Sequence, residues 1–177
     1  MTLLLFATHG AMFIALKTDG EIRHRARALS VRLGLAAAVV AVLFLVWAQV
    51  RTGSLSSGIA FALAAVALLS AIAAAWNGRE GWAFTGTFAT IALAVAGLFL
   101  ALFPDVMPST TSAAFSLTTS NASATGYTLT VMTWVAVIFT PVVLVYQGWT
   151  YWVFRKRIAT HHIPPVTPVT PLPAGMA

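Results

Sequence analysis

Cysteine is absent from the 177 residues, which excludes disulfides, thiolate metal sites and cysteine nucleophiles. Acids are nearly absent too, since Asp19, Glu21, Glu80 and Asp105 are the four carboxylates of the chain. No paired carboxylates, phosphate-binding glycine loop, nucleophile elbow or metal-spaced cluster appears among residues this sparse in polar chemistry. Charged residues make up 8% of the chain, where a soluble domain carries about a quarter. What remains is 59% hydrophobic, with a mean hydropathy of +0.89. One small core cannot hide that much apolar surface, so most of it has lipid as its solvent.

A helix needs roughly 20 apolar residues to cross the hydrocarbon. Four stretches meet that length: 31–50, 58–76, 82–103 and 127–154. A fifth, 2–16, is apolar but short. The expected fold is therefore all-α, a polytopic membrane bundle of about five helices spanning 1–157. Small residues such as Ala60, Ala64, Ala67, Ala71 and Ala74 recur inside the helices. In lipid such residues mark packing faces, because helices associate by close backbone approach. Asn77 to Gly81 reads as a tight turn between antiparallel helices, with glycine supplying positive φ. Trp47, Trp76, Trp82, Trp149, Tyr151 and Trp152 fall at the span ends, where aromatic rings with a polar edge meet the headgroups.

Charge orients the spans. If the connections alternate sides, nine basic residues fall on one side and only Arg51 on the other. Short-loop lysine and arginine mark the cytoplasmic side. The basic connection 17–30 and the C-terminus are expected inside. The N-terminus and the Ser/Thr-rich loop 104–126 are expected outside. The segment "KTDGEIRHRARALSVR" (17–32) reads as an Asp19-Gly20 turn followed by a helix, with attraction to anionic headgroups as its functional reading. The tail 158–177 contains "IPPVTPVTPLPAG" and is expected to be extended or disordered, because proline blocks helix geometry. A proline-recognition ligand is a minor alternative there.

Few residues are candidates for chemistry. His9 lies within the first helix, either as a haem or metal ligand, as a proton relay, or as a histidine near the outer helix end bonded to a neighbour. His24, His161 and His162 fall outside membrane depth, so no second histidine completes a six-coordinate haem. Met107 and Met132 are soft donors that more often fill apolar gaps. Pro141 is expected to kink the last helix. Asn121-Ala122-Ser123 fits a glycosylation sequon, a match that is common by chance. Asp105 lies between Pro104 and Pro108 and reads as solvated punctuation at a helix end, since the residue before a proline is pushed out of helical geometry.

Five stretches carry a family resemblance. "LFPDVMPSTT" (102–111), "SLTTSNASATGYTLTVMTWVAV" (116–137) and "PVVLVYQGWTYWVFRKRI" (141–158) resemble the C-terminal part of subunit II of cytochrome bd quinol oxidase. "THGAMFIALKTDGEIRHRARA" (8–28) and "GREGWAFTGT" (78–87) fit the same family in the same order. The motif residues are Phe103, Pro104, Val106, Met107, Pro108 and Ser109, with Met132 and Trp134 in the second segment. The residue at Asp105 is not a fixed acid in that pattern, so no role carries over to it.

The resemblance implies a haem-free structural subunit in the bacterial plasma membrane, without a complete active site of its own. It implies a partner, the haem-bearing subunit I, which holds haem b and haem d and oxidises quinol. It further implies support of assembly and of proton-motive force, and in some members a structural quinone or polar residues on a proton path. The family's subunit II is longer, and the chain corresponds to about its C-terminal half. A fragment, a misplaced start and one product of a split gene stay open as origins. Half of a dimeric membrane transporter is the alternative function, for which Pro141 beside Thr140 is the one feature resembling a broken helix.

Overall fold

The computed structural model describes residues 1–159. Five helices follow in order: α1 (Thr2–Lys17), α2 (Gly20–Thr52), α3 (Leu55–Trp76), α4 (Glu80–Leu102) and α5 (Gly126–Val153). Four of them are long and apolar enough to cross a membrane, and α1 is a shorter apolar helix. The chain is a multi-pass helical membrane protein.

The helix limits follow from local chemistry. The helix of α2 begins at Gly20, well before the apolar span expected from residue 31. Asp19 stands at its N-cap, Oδ1 accepting from the Gly20 N–H at 2.9 Å, and Gly20 itself has φ +70. Glu21 in the first turn and Arg51 in the last suit the helix dipole. At 33 residues α2 runs to about 50 Å, longer than the ~30 Å hydrocarbon. Its charged first part is therefore an ordered arm outside the lipid, not a loop. At the other end Ser54 and Ser57 form a reciprocal capping box for α3. Gln49 folds over that turn, donating from Nε2 to the Ser54 carbonyl at 2.9 Å and accepting from the Ser57 hydroxyl at 2.8 Å. Between α3 and α4 the turn is as short as expected, with Gly78 at φ +73. Gly81 is simply helical, so one glycine rather than two meets the backbone requirement there.

Helices α1 to α4 close into a four-helix ring, with α1 between α2 and α4, and α3 between α2 and α4. Three apolar layers fill it: Leu45 with Phe61 and Ala101, Leu5 with Leu68 and Ile72, and Met12 with Ala75 and Ala83. The seam of α3 and α4 is the closest. Gly86 packs on Ala71, and Gly97 receives the Phe61 ring. Most other buried apolar positions are alanines, as expected where backbone approach rather than water exclusion drives association.

Helix α5 differs. None of its residues is buried, and it runs unbroken through Pro141. It meets the bundle at the end carrying Lys17, where Tyr151 lies edge-on to Phe13 at 6.3 Å. Lys17 Nζ donates to the Phe154 carbonyl at 2.8 Å, and the Ile158 N–H donates to the Lys17 carbonyl at 2.8 Å. Helix α5 carries bulky Val135, Ile138, Val142 and Trp149 rather than a stripe of small residues, so no bundle groove accepts it closely. The tail, expected disordered from residue 158, starts ordered: Ile158 pairs with Thr18 and Ala159 is buried. The remainder of the tail, with His161, His162 and the proline run, lies outside the described residues.

The loop 104–126 is not featureless. Strand β1 (Asp105–Met107) pairs antiparallel with β2 (Leu117–Thr118), and a 3-10 turn (Ala113–Phe115) lies between them. Asn121 closes this hairpin, accepting from the Thr118 N–H at 2.6 Å and donating to the Ser116 carbonyl at 3.1 Å.

Candidate functional site

Three places gather polar or motif residues. At the end of the bundle holding Lys17, the α3–α4 turn places Glu80 as the first residue of α4, under the charged arm of α2. Glu80 is only 4% exposed, yet it is the best-paired carboxylate in the chain. Arg23 grips it with two bonds, Nε to Oε1 at 2.9 Å and Nη2 to Oε2 at 3.1 Å. Arg27 stands 3.9 Å from Oε1 and Arg157 3.7 Å from Oε2. Three separate segments, namely the start of α2, the start of α4 and the chain after α5, therefore converge on one anion. Such two-pronged guanidinium–carboxylate contacts fix geometry as well as charge. The cluster contains an acceptor and donors but no nucleophile, so its chemistry is that of a clamp. Sequence reasoning treated Glu80 as part of a turn. The signal that could have found it was the alternation itself, which puts one acid opposite a run of arginines on the same side.

The second place is His9. It lies at the middle of α1, about 12 Å from Lys17 at ~1.5 Å per residue, and not near the outer end. Its Nδ1 is 2.7 Å from Thr87 Oγ1, and its ring stacks on Phe84 with centroids 4.4 Å apart. The Thr87 hydroxyl also lies 2.9 Å from the Phe84 carbonyl and 3.2 Å from the Ala83 carbonyl, and the imidazole tautomer decides which partner donates in the His9–Thr87 bond. Among the described residues no group of three His, Cys, Asp or Glu side chains is placed to hold a metal. A cavity of about 70 Å³ lies between the helices, lined by Leu5, Ala41, Leu68 and Thr90, and His9 does not line it. His9→Ala is expected to lower the melting temperature through a loss of about 1–2 kcal/mol, from one hydrogen bond and one stacked ring. It should leave the visible absorbance of any haem protein that purifies with the chain unchanged, and a shifted Soret band would instead make His9 a ligand.

The third place is the hairpin of loop 104–126. Phe103, Val106 and Met107 are exposed, and so are Phe115 and Leu117 opposite them. Ser109 is tied inward, its N–H donating to Ser116 Oγ at 3.0 Å, and the Thr119 N–H donates to the Pro104 carbonyl at 3.0 Å. Asp105 is partly exposed and faces Thr118 across the strands. No cation lies within ion-pair distance of it among the described residues. Pro108 lies just past β1 at the hairpin turn. Met132 and Trp134 lie on exposed faces of α5. The motif residues thus fall into two groups, one shaping the hairpin and one on α5, and the structure does not unite them with His9.

Comparison with known proteins bears on this arrangement. Residues 1–154 match the family described as cytochrome bd terminal oxidase subunit II. The cytochrome bd ubiquinol oxidase subunit 2 of Bacillus subtilis (strain 168) is 36% identical over 176 residues, covering 94% of this chain and 50% of the relative. The cytochrome bd-I ubiquinol oxidase subunit 2 of Escherichia coli (strain K12) is 40% identical over 102 residues, covering 58% of this chain and 27% of the relative. A probable cytochrome oxidase subunit 2 of Haemophilus influenzae is 28% identical over 184 residues, covering 85% and 49%. The chain spans at most about half the length of these relatives. A ring of four helices, a fifth helix beside it and a motif-bearing hairpin are the parts that this match covers: the chain belongs to the cytochrome bd terminal oxidase subunit II family.

Proposed function

We propose that the chain serves as a haem-free, structural part of a quinol-oxidising, oxygen-reducing respiratory complex. The family match over nearly the whole chain carries this reading, and the relatives are named as ubiquinol oxidase subunits. Its partner is a haem-bearing subunit, with haem b and haem d there, and quinol is the substrate of the complex. The exposed length of α5 and the apolar outer hairpin are the surfaces on which such a partner packs. In the proposed orientation the Glu80 clamp, Arg79 and Arg155 to Arg157 face the cytoplasm, and the hairpin faces out. The common end shared by Lys17, Glu80 and Arg157 supports that alternation.

A broken helix would have favoured half of a transporter, but α5 is continuous at Pro141. Affinity purification of the tagged chain from its own membranes should bring down a haem protein with quinol oxidase activity. Deleting the gene should remove most of that activity. Asp105→Asn should leave the activity within about twofold, as expected for a solvated carboxylate that makes no ion pair. Normal haem spectra and quinol oxidation after deletion would refute the assignment.

A further inference from the structure

Helices α2 and α3 part at their charged end to leave an open cleft of about 420 Å³. The face of α2 lining it repeats at helical spacing: His24, Arg27, Val31, Arg32 and Leu35. Trp76 at the end of α3 forms the other wall. Along α2, His24 and Arg27 stand at the mouth, Val31 and Arg32 about one turn further in, and Leu35 furthest in.

The charges here are only partly satisfied internally. Arg27 stands 3.9 Å from a carboxylate that Arg23 already holds with two bonds. Arg32 has no acid within ion-pair distance among the described residues. It sits about 7.5 Å further along α2 than Arg27 at ~1.5 Å per residue, at the start of the apolar stretch. An unpaired guanidinium at that boundary is free to bind an anion. The cleft also lies away from α5, which meets the bundle at Phe13 and Lys17 of α1.

We propose that this cleft seats an anionic phospholipid, its phosphate between Arg27 and Arg32 and its acyl chains on Val31 and Leu35 beside Trp76. The occupant follows from matching order: an anion above and hydrocarbon below is the build of a lipid, and guanidinium groups pair with phosphate through two parallel bonds. A basic pocket between membrane helices on the cytoplasmic side suits such a headgroup.

The test is native mass spectrometry of the full chain, released from membranes in mild detergent with whatever remains bound, and titrated with phosphatidylglycerol. The expected result is saturable binding of phosphatidylglycerol and weak binding of phosphatidylcholine. Arg32→Gln should weaken phosphatidylglycerol binding about fivefold, the contribution of one basic residue at an anionic surface. Arg32→Lys should retain most of it, and Arg51→Gln, at the other end of the same helix, should change nothing. Millimolar inorganic phosphate should not displace the lipid. Equal binding of phosphatidylcholine, equal loss in Arg51→Gln and Arg32→Gln, or displacement by phosphate would each overturn the proposal. So would a photo-crosslinker at Leu35 that captures a polypeptide instead of lipid. Equal melting temperatures of the variants establish that the folded protein is being compared. None of these readouts depends on oxidase activity.

Discussion

Glu80→Gln is expected to loosen the Lys17 end of the bundle more than any other single polar substitution. The change keeps size and shape but removes the charge that gathers Arg23, Arg27 and Arg157. Removing one partner of a buried ion pair costs about 3–5 kcal/mol, because the remaining charge stays without compensation. The arginines here are about a quarter to a third exposed and reach water, so the lower end, about 3 kcal/mol, is expected. Arg23→Gln should cost less, since Arg27 and Arg157 remain beside the carboxylate. Arg157→Gln should mainly free the segment after α5, read as faster proteolysis beyond Phe154 with little change in melting. The measurement is thermal unfolding in detergent, in parallel with limited proteolysis. A Glu80→Gln protein that melts with the parent would show that the clamp contributes nothing and that packing alone holds the three segments.

Gly97→Val is expected to pry α3 from α4. A Cβ at Gly97 would stand 2.5 and 2.6 Å from atoms of the Phe61 ring and 3.2 Å from the Ala60 Cβ. Neither neighbour has room: Phe61 is buried with Leu45 and Ala101, and Ala60 is buried in the same helix. Overpacking of this kind typically costs about 1–3 kcal/mol. In lipid there is no compensating gain from hiding apolar surface, so the helices separate rather than repack. Shortening the ring in the double variant Gly97→Val with Phe61→Leu should recover much of the loss, and a cycle of the four proteins isolates that coupling. Gly81→Ala is the matched control, because nothing lies within 4 Å of its added Cβ. If Gly97→Val and Gly81→Ala melt alike, the α3–α4 seam is not closely packed.

Spans were legible because they depend on sums over local sequence. Hydropathy over about twenty residues decides whether a segment belongs in lipid. The count of lysine and arginine per connection decides which side it prefers. The turn at Gly78, the stop before Pro104 and the motif frame from Phe103 to Ser109 were likewise readable, because each is set by a few adjacent residues. By itself the sequence determined a multi-pass helical protein, its oxidase family and its charged end.

The tertiary structure decided what depends on residues far apart in the chain. Arg23 and Glu80 are separated by 57 positions, and His9 and Thr87 by 78. Neither pairing leaves a periodic trace. The helix after the Asp19-Gly20 turn was legible, but its continuity with the apolar span from residue 31 was not, and the Asp19 cap and the Glu80 anion stabilise that continuous helix. The isolation of α5 was missed as well. Its hydropathy lies within the range of its neighbours, so hydropathy does not tell it apart from them. Lipid makes no distinction among apolar helices, so packing geometry and a few buried charges, not hydrophobicity, choose which of them touch.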